Sequence, residues 1–196
     1  MKNVVIIGGG AAGLMAAITS ADKGNNVTLI EKNAKVGRKL MITGKGRCNV
    51  CNNCDIDTLI NNIPKNAKFL YSAFSTLSPK ELMEFFENKK VPLKTERGNR
   101  VFPVSDKAVD IVDALYNAVT RSGAKIINST AEKIITSENK VMGVKIQNGD
   151  ILPADSVILA TGGMSYPLTG STGDGYNMSE SLGHTITELK PSLVPL

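Results

Sequence analysis

The residues best placed to do chemistry stand near the start of the chain. Gly8, Gly10 and Gly13 follow the β-branched run Val4-Val5-Ile6-Ile7 and lead into the small-residue stretch Leu14-Met15-Ala16-Ala17-Ile18. Gly-x-Gly-x-x-Gly between a buried strand and a helix suits a diphosphate. Gly8 permits the tight turn, Gly10 lets the backbone approach the phosphates, and Gly13 lets the helix sit close to the strand. The helix N-terminus offers free N–H groups and a positive dipole end to the anion. A second short strand, Asn26-Val27-Thr28-Leu29-Ile30, ends on Glu31, 18 residues after Gly13. A carboxylate there accepts hydrogen bonds from both hydroxyls of an adenosine ribose and repels a 2′-phosphate, which points to a NAD-like or FAD ligand and disfavours NADP.

Other reactive groups compete with this reading. Lys32, Lys35, Arg38, Lys39, Lys45 and Arg47 form a basic cluster. A nucleic-acid surface would be broader and interleaved with aromatic residues, and this stretch has none, so service to the cofactor's phosphates is the favoured role and no nucleic-acid partner is expected. Gly44-Lys45 imitates the end of a P-loop, but Gly46 stands where the Mg²⁺-binding Ser or Thr belongs. Cys48, Cys51 and Cys54 have a spacing that can bind zinc or an iron–sulfur cluster. Three ligands are one short of a closed site, and the only histidine, His184, lies far along the chain; no metal is expected. No Ser/His/Asp set or carboxylate pair stands out, and one histidine gives little scope for general acid–base work, so no catalytic residue is assigned.

The elements that position these residues read as an α/β domain. The chain has 196 residues, is 42% hydrophobic and carries a net charge of +5, enough to bury the core of about one domain. Its apolar runs are far too short to span a bilayer and the N-terminus lacks a signal-peptide stretch, so a cytoplasmic location with no membrane partner is expected. Residues 33–53 show little periodicity and read as a long functional loop. Ser78, Pro79 and Glu81 carry a helix start with a capping box. Residues 91–104 read as a hairpin around Gly98, and Ser105 as the cap of an amphipathic helix ended by Gly123. Residues 124–153 give short strands, the first joining a parallel sheet and the rest an antiparallel meander with a turn at Asn148-Gly149. Residues 156–160 return as a buried strand running into Thr161-Gly162, and Asp174 starts a final helix, either as its N-cap or in a ligand role.

Taken together, Gly-x-Gly-x-x-Gly, Glu31, "VGRKLMITGKGRCN", "RVFPVSDKA", "ATGG", "TGDGY" and "LGHTITELKPSLVPL" resemble the NAD(P)/FAD-dependent oxidoreductases of the aminoacetone-oxidase and bile-acid 3-dehydro-Δ4,6-reductase-like flavoprotein family. The "GRCN" and "TGDGY" motifs argue against a simple NAD-dependent dehydrogenase or epimerase. The resemblance implies resident FAD, with NAD(P)H as a transient electron donor and a small-molecule substrate. It also implies a glutathione-reductase-like Rossmann fold, with a parallel sheet and an antiparallel β-meander. By the same resemblance Gly8, Gly10, Ala11, Ala12 and Gly13 hold the pyrophosphate and Glu31 with Lys32 the adenosine ribose. Arg38 and Lys39 line the adenosine and phosphate side; Thr43, Gly44, Arg47 and Asn49 approach the ribityl chain and flavin. The backbone of Glu132 pairs with adenine, Thr161 and Gly162 pack near the cofactor, and Asp174 matches the acid of the "TGDG" motif. This chain departs from the family by Cys51, where a Thr is usual, and by Cys54. Family members are about twice as long, which implies one FAD-binding domain over residues 1–190, the start of an absent inserted domain at 191–196, and a missing C-terminal half. An FAD-binding part of an oxidoreductase is therefore expected; the alternative is a nucleotide-binding module with no activity of its own.

Overall fold

The computed structural model describes residues 1–190; the expected start of an inserted domain at 191–196 lies outside the described residues. In chain order the elements begin with β1 (Asn3–Ile7), α1 (Ala11–Asp22) and β2 (Asn26–Glu31). Next come α2 (Arg38–Ile42), α3 (Ile56–Asn61), α4 (Tyr71–Thr76), α5 (Pro79–Asn88), β3 (Leu93–Glu96), β4 (Arg100–Pro103) and α6 (Ala108–Arg121). The remainder is β5 (Lys125–Asn128), β6 (Ala131–Ser137), β7 (Lys140–Ile146), β8 (Ile151–Pro153), β9 (Ser156–Leu159) and α7 (Asp174–Ser181). Within residues 1–190, expected as one domain, the chain forms two compact units: Met1–Ala34 with everything from Ala124 onward, and Lys35–Gly123.

The first unit is the expected Rossmann-like α/β structure. Its sheet is wholly parallel in the order β5-β2-β1-β9, with Ile7 level with Ile30 on one side and Leu159 on the other. Strands buried on both faces need near-continuous β-branched sequence, and Val4, Val5, Ile6 and Ile7 are all buried. Val5, Ile7 and Ile30 pack with Ala131, Ile134, Val144 and Ile146 of the antiparallel β6-β7-β8 meander and with Met178 of α7. Strand alternation leaves Val4 and Ile6 to the other face, beside α1 with its buried Leu14, Ala17 and Ile18. The chain leaves β1 toward β2 on one side, while β9 pairs on the other. The C-terminal end of β1 is thus a topological switch point, the place where open α/β sheets bind ligands.

In the second unit α5 starts as its sequence dictates: the Ser78 hydroxyl accepts from Glu81 N–H, the Glu81 carboxylate accepts from Ser78 N–H, and Pro79 takes the first turn. β3 and β4 form the expected hairpin, with Gly98 at φ 74° in the connecting 3-10 turn. Two local expectations fail. Ser105 does not cap α6: Lys107 holds that position, Asp106 has a φ of 55°, and the Ser105 hydroxyl turns to the Asp110 carboxylate. Residues 33–53 are not one irregular loop, because they contain α2 and a 3-10 turn at Thr43–Gly46. Val50 N–H then donates to Val101 O (2.9 Å) and Val101 N–H to Cys51 O (3.0 Å), aligning this segment with β4. Single-sequence periodicity has no purchase on helices of five residues or on pairing that skips about fifty positions.

Candidate nucleotide-binding site

The three fingerprint glycines are glycine for different reasons. Gly8 has a φ of 106°, donates to Ile30 O (2.8 Å), and a Cβ there would lie 2.5 Å from Ala160 O. A Cβ on Gly13 would lie 1.8 Å from Gly8 O. Both are demanded by packing of the protein on itself. Gly10 is not: its backbone is extended (φ −81°, ψ −171°) and a Cβ there would meet nothing within 4 Å. It stands at the N-cap of the 12-residue α1, where no side chain caps the helix. The first helical bond runs from Leu14 N–H to Gly10 O (2.9 Å), so the N–H groups of Ala11, Ala12 and Gly13 precede the helix's own ladder. A phosphate suits such donors at the positive end of a helix.

Glu31 closes β2 at 8% exposure. Its Oε2 accepts from Gly9 N–H (2.7 Å), and its Oε1 accepts from the backbone N–H of Asn33 (2.7 Å) and from Asn33 Nδ2 (2.6 Å). The acid is thereby fixed to the glycine turn itself. The Lys32 ammonium donates to Asp174 Oδ2 (2.6 Å) and Thr172 Oγ1 (2.6 Å). Asp174 is not the N-cap of α7, a position held by Gly173; it is the first helical residue. Burial pulls its carboxyl up, but hydrogen bonds from Lys32 and Thr172 outweigh this and hold it below the usual range. This tie across 142 positions has no local sequence signal.

Thr161 and Gly162 follow β9. Thr161 Oγ1 lies so near Gly175 that a Cβ there would approach it to 2.3 Å, and Gly162, at φ 74°, faces Ser171. Glu132 is the extra residue of a bulge, since Ala131 is level with Ile146 and Lys133 with Lys145. Such a residue is left out of the ladder and its backbone can face a ligand; its side chain pairs with Lys145 at 3.2 Å.

The remaining expected residues belong to the second unit. Arg38 and Lys39 open α2. Thr43 Oγ1 donates to Leu40 O (2.9 Å), and Gly44, at φ 55°, backs onto Phe102, where a Cβ would come within 2.8 Å of the ring. With its nitrogen turned toward them, the Asn49 amide donates to Cys51 O (3.1 Å) and Val101 O (3.3 Å). Arg47 lies 4.0 Å over the Phe102 ring and donates to Glu96 (2.9 and 3.1 Å) and Asp106 (3.2 Å). Lys94 completes the network, 2.6 Å from Asp106 and 3.4 Å from Glu96. The Arg47 bond holds Glu96 below the usual carboxylate range, and Lys94, then Arg47, does the same for Asp106. Cys48 is buried at a φ of 62°, and burial pushes its thiol up. Burial, with the Cys54 charge second, pushes Cys51 up to about 11. Among the described residues no group of three or more His, Cys, Asp and Glu is arranged to hold a metal ion, and no helix is long and apolar enough to cross a membrane.

A glycine turn at a sheet's switch point, a helix N-terminus above it and an acid at the end of the next strand define a Rossmann-type dinucleotide-binding domain. Residues 2–190 match the model of the HI0933-like protein Rossmann domain, and the chain belongs to that family. It is 34% identical over 199 residues to the 3-dehydro-bile acid delta(4,6)-reductase of Clostridium scindens, a match that takes in 100% of this chain and 47% of that protein. It is 30% identical over 194 residues to the ribosomal RNA dihydrouridine synthase of Haemophilus influenzae, covering 97% of this chain and 48% of the relative. The chain spans about half the length of the curated relatives it matches. Among solved structures, the apo form of Mycobacterium smegmatis Sdh1 shares the fold, with a TM-score of 0.70 at 19% identity over 92% of this chain and 38% of that one.

Proposed function

We propose that this chain is the FAD-binding part of a flavin-dependent oxidoreductase. The observation that carries the proposal is Gly10. The structure around it would accept a side chain, so the open space above the α1 N-terminus is kept for a ligand, and the N–H groups of Ala11, Ala12 and Gly13 suit a diphosphate. Glu31, bound to the same turn through Gly9, supplies the acceptor for the adenosine ribose, and the bulged backbone of Glu132 is proposed for the adenine. Thr161, Gly162 and, through its pairing with Lys32, Asp174 are proposed to shape the cofactor's surroundings. Arg38, Lys39, Thr43, Gly44, Arg47 and Asn49 of the second unit are proposed as further contacts on the resemblance alone.

FAD, when bound, supplies two-electron transfer between a reduced nicotinamide and an unsaturated acceptor, or from an amine to oxygen. What this chain's residues do is bind and orient: the helix end neutralises phosphate charge and Glu31 rejects a 2′-phosphate. For the whole protein a small-molecule substrate, NAD(P)H as donor and a cytoplasmic location are proposed. The 30% identical relative named for ribosomal RNA makes RNA the competing substrate class. The test is the absorbance of the purified chain in the flavin region, followed by FAD and NAD titrations. Saturable FAD binding supports the reading, and tight NAD binding without FAD binding overturns it. If FAD binds and no reductase or oxidase turnover follows, the chain is a binding module that is inactive by itself.

A further inference from the structure

The geometry points to Asn33 as a positioning residue for the ribose-reading carboxylate of Glu31, an inference that rests on the nucleotide reading above. The Asn33 side-chain nitrogen has two protons, and both have acceptors: Glu31 Oε1 at 2.6 Å and Thr169 O at 3.3 Å. The amide is boxed in from several sides. Gly170, at φ 98°, leaves room for it, since a Cβ there would lie 2.5 Å from Asn33 Nδ2. Asn128 Nδ2 donates to Asn33 O (2.6 Å) and Glu31 O (2.9 Å), fixing the backbone from which both side chains spring. A glutamate side chain has three rotatable bonds, and a ligand that needs one rotamer binds more weakly when the others are open. Asn33 restricts that freedom at Oε1 through its side-chain amide together with its backbone N–H, as the Gly9 N–H does at Oε2. Nothing in the glycine fingerprint or its acid marks the residue two places later, because its role depends on a segment 136 positions away.

The experiment compares ADP, which has both ribose hydroxyls, with 2′,3′-dideoxy-ADP, which has neither, by calorimetric titration of the whole chain and of Asn33→Ala and Asn33→Leu. The unsubstituted chain is expected to prefer ADP by roughly tenfold, the effect of one good hydrogen bond to a charged group. Both variants keep the backbone bonds to Glu31, so that preference narrows to about threefold while the dideoxy affinity holds, which also shows that the variants are folded. Asn33→Leu keeps the branched shape under Gly170 with neither a donor nor a charge, so it separates orientation of Glu31 from packing. An equal loss for both nucleotides, or a preference kept in full in the Leu variant, overturns the positioning role. If the unsubstituted chain binds neither ADP nor FAD, the nucleotide reading itself is overturned, and this inference with it.

Discussion

Replacing Gly10 and Gly13 separately by alanine tests whether the turn is kept for a ligand or for packing. At Gly10 the new methyl meets no protein atom within 4 Å, and the backbone at φ −81° is open to any residue. The narrower unfolded ensemble stabilises by about 0.4–1 kcal/mol, and the poorer N-cap preference of alanine costs about 1 kcal/mol. The two nearly cancel, so Tm should move by no more than about 4 °C in a chain of this size. The methyl nevertheless stands where a diphosphate would approach the helix end, and FAD affinity should fall at least tenfold, about 1.4 kcal/mol. Gly13→Ala puts its methyl 1.8 Å from Gly8 O. The helix must move off the strand at an overpacking cost of about 1–3 kcal/mol, which lowers Tm by roughly 2–12 °C. Scanning fluorimetry and FAD titration on both variants separate the cases. If Gly10→Ala binds FAD as tightly as the parent, or loses as much stability as Gly13→Ala, the argument for a ligand above Gly10 is wrong.

The charge network of the second unit predicts an acid-side weakness. Glu96 and Asp106 are held below their ordinary values of 4.5 and 3.8, so the stability they contribute is present above those values and is lost as pH falls through the depressed ones. Melting from pH 7 to 3 should therefore show a shallower acid decline in Arg47→Met than in the parent; parallel curves would refute the coupling. The cysteines should alkylate in order. Iodoacetamide at pH 8 should reach Cys54 first, Cys51, pushed up to about 11, much more slowly, and Cys48 only on unfolding. Peptide mass spectrometry that finds Cys48 modified first would contradict the burial that sets this order.

What could be read from the sequence is what short-range chemistry encodes. The β1 turn, the strand ending on Glu31, the Ser78 capping box and the Gly98 hairpin each follow from residue types within a few positions, and each is where it was expected. The failures are of two kinds. Ser105 is a good capping residue that lies beside a helix start without capping it, because its hydroxyl has another partner in Asp110, while Asp174, read as N-cap or ligand residue, is the first helical residue and pairs with Lys32. The others are interactions closed by the fold: Arg47 with Glu96 and Asp106, Asn33 with Thr169, and the alignment of residues 50–53 with β4. A basic cluster read as phosphate-serving thus has two members, Lys32 and Arg47, engaged with protein carboxylates. Nothing local distinguishes a lysine that waits for a ligand from one that ties down a distant loop.

The central place of β1 in its sheet has a consequence for synthesis. β1 is flanked by β2, made almost at once, and by β9, which starts at Ser156. Between them the ribosome emits the contiguous unit Lys35–Gly123, whose contacts are all available before β9 exists. At about 5–20 residues per second, the first strand waits roughly 8–30 s for its second neighbour. The glycine turn, which leans on Ala160, is therefore translated well before the residues that complete its surroundings. Through that interval the apolar run Val4-Val5-Ile6-Ile7 keeps one strand edge unpaired, the kind of edge that can pair with another chain.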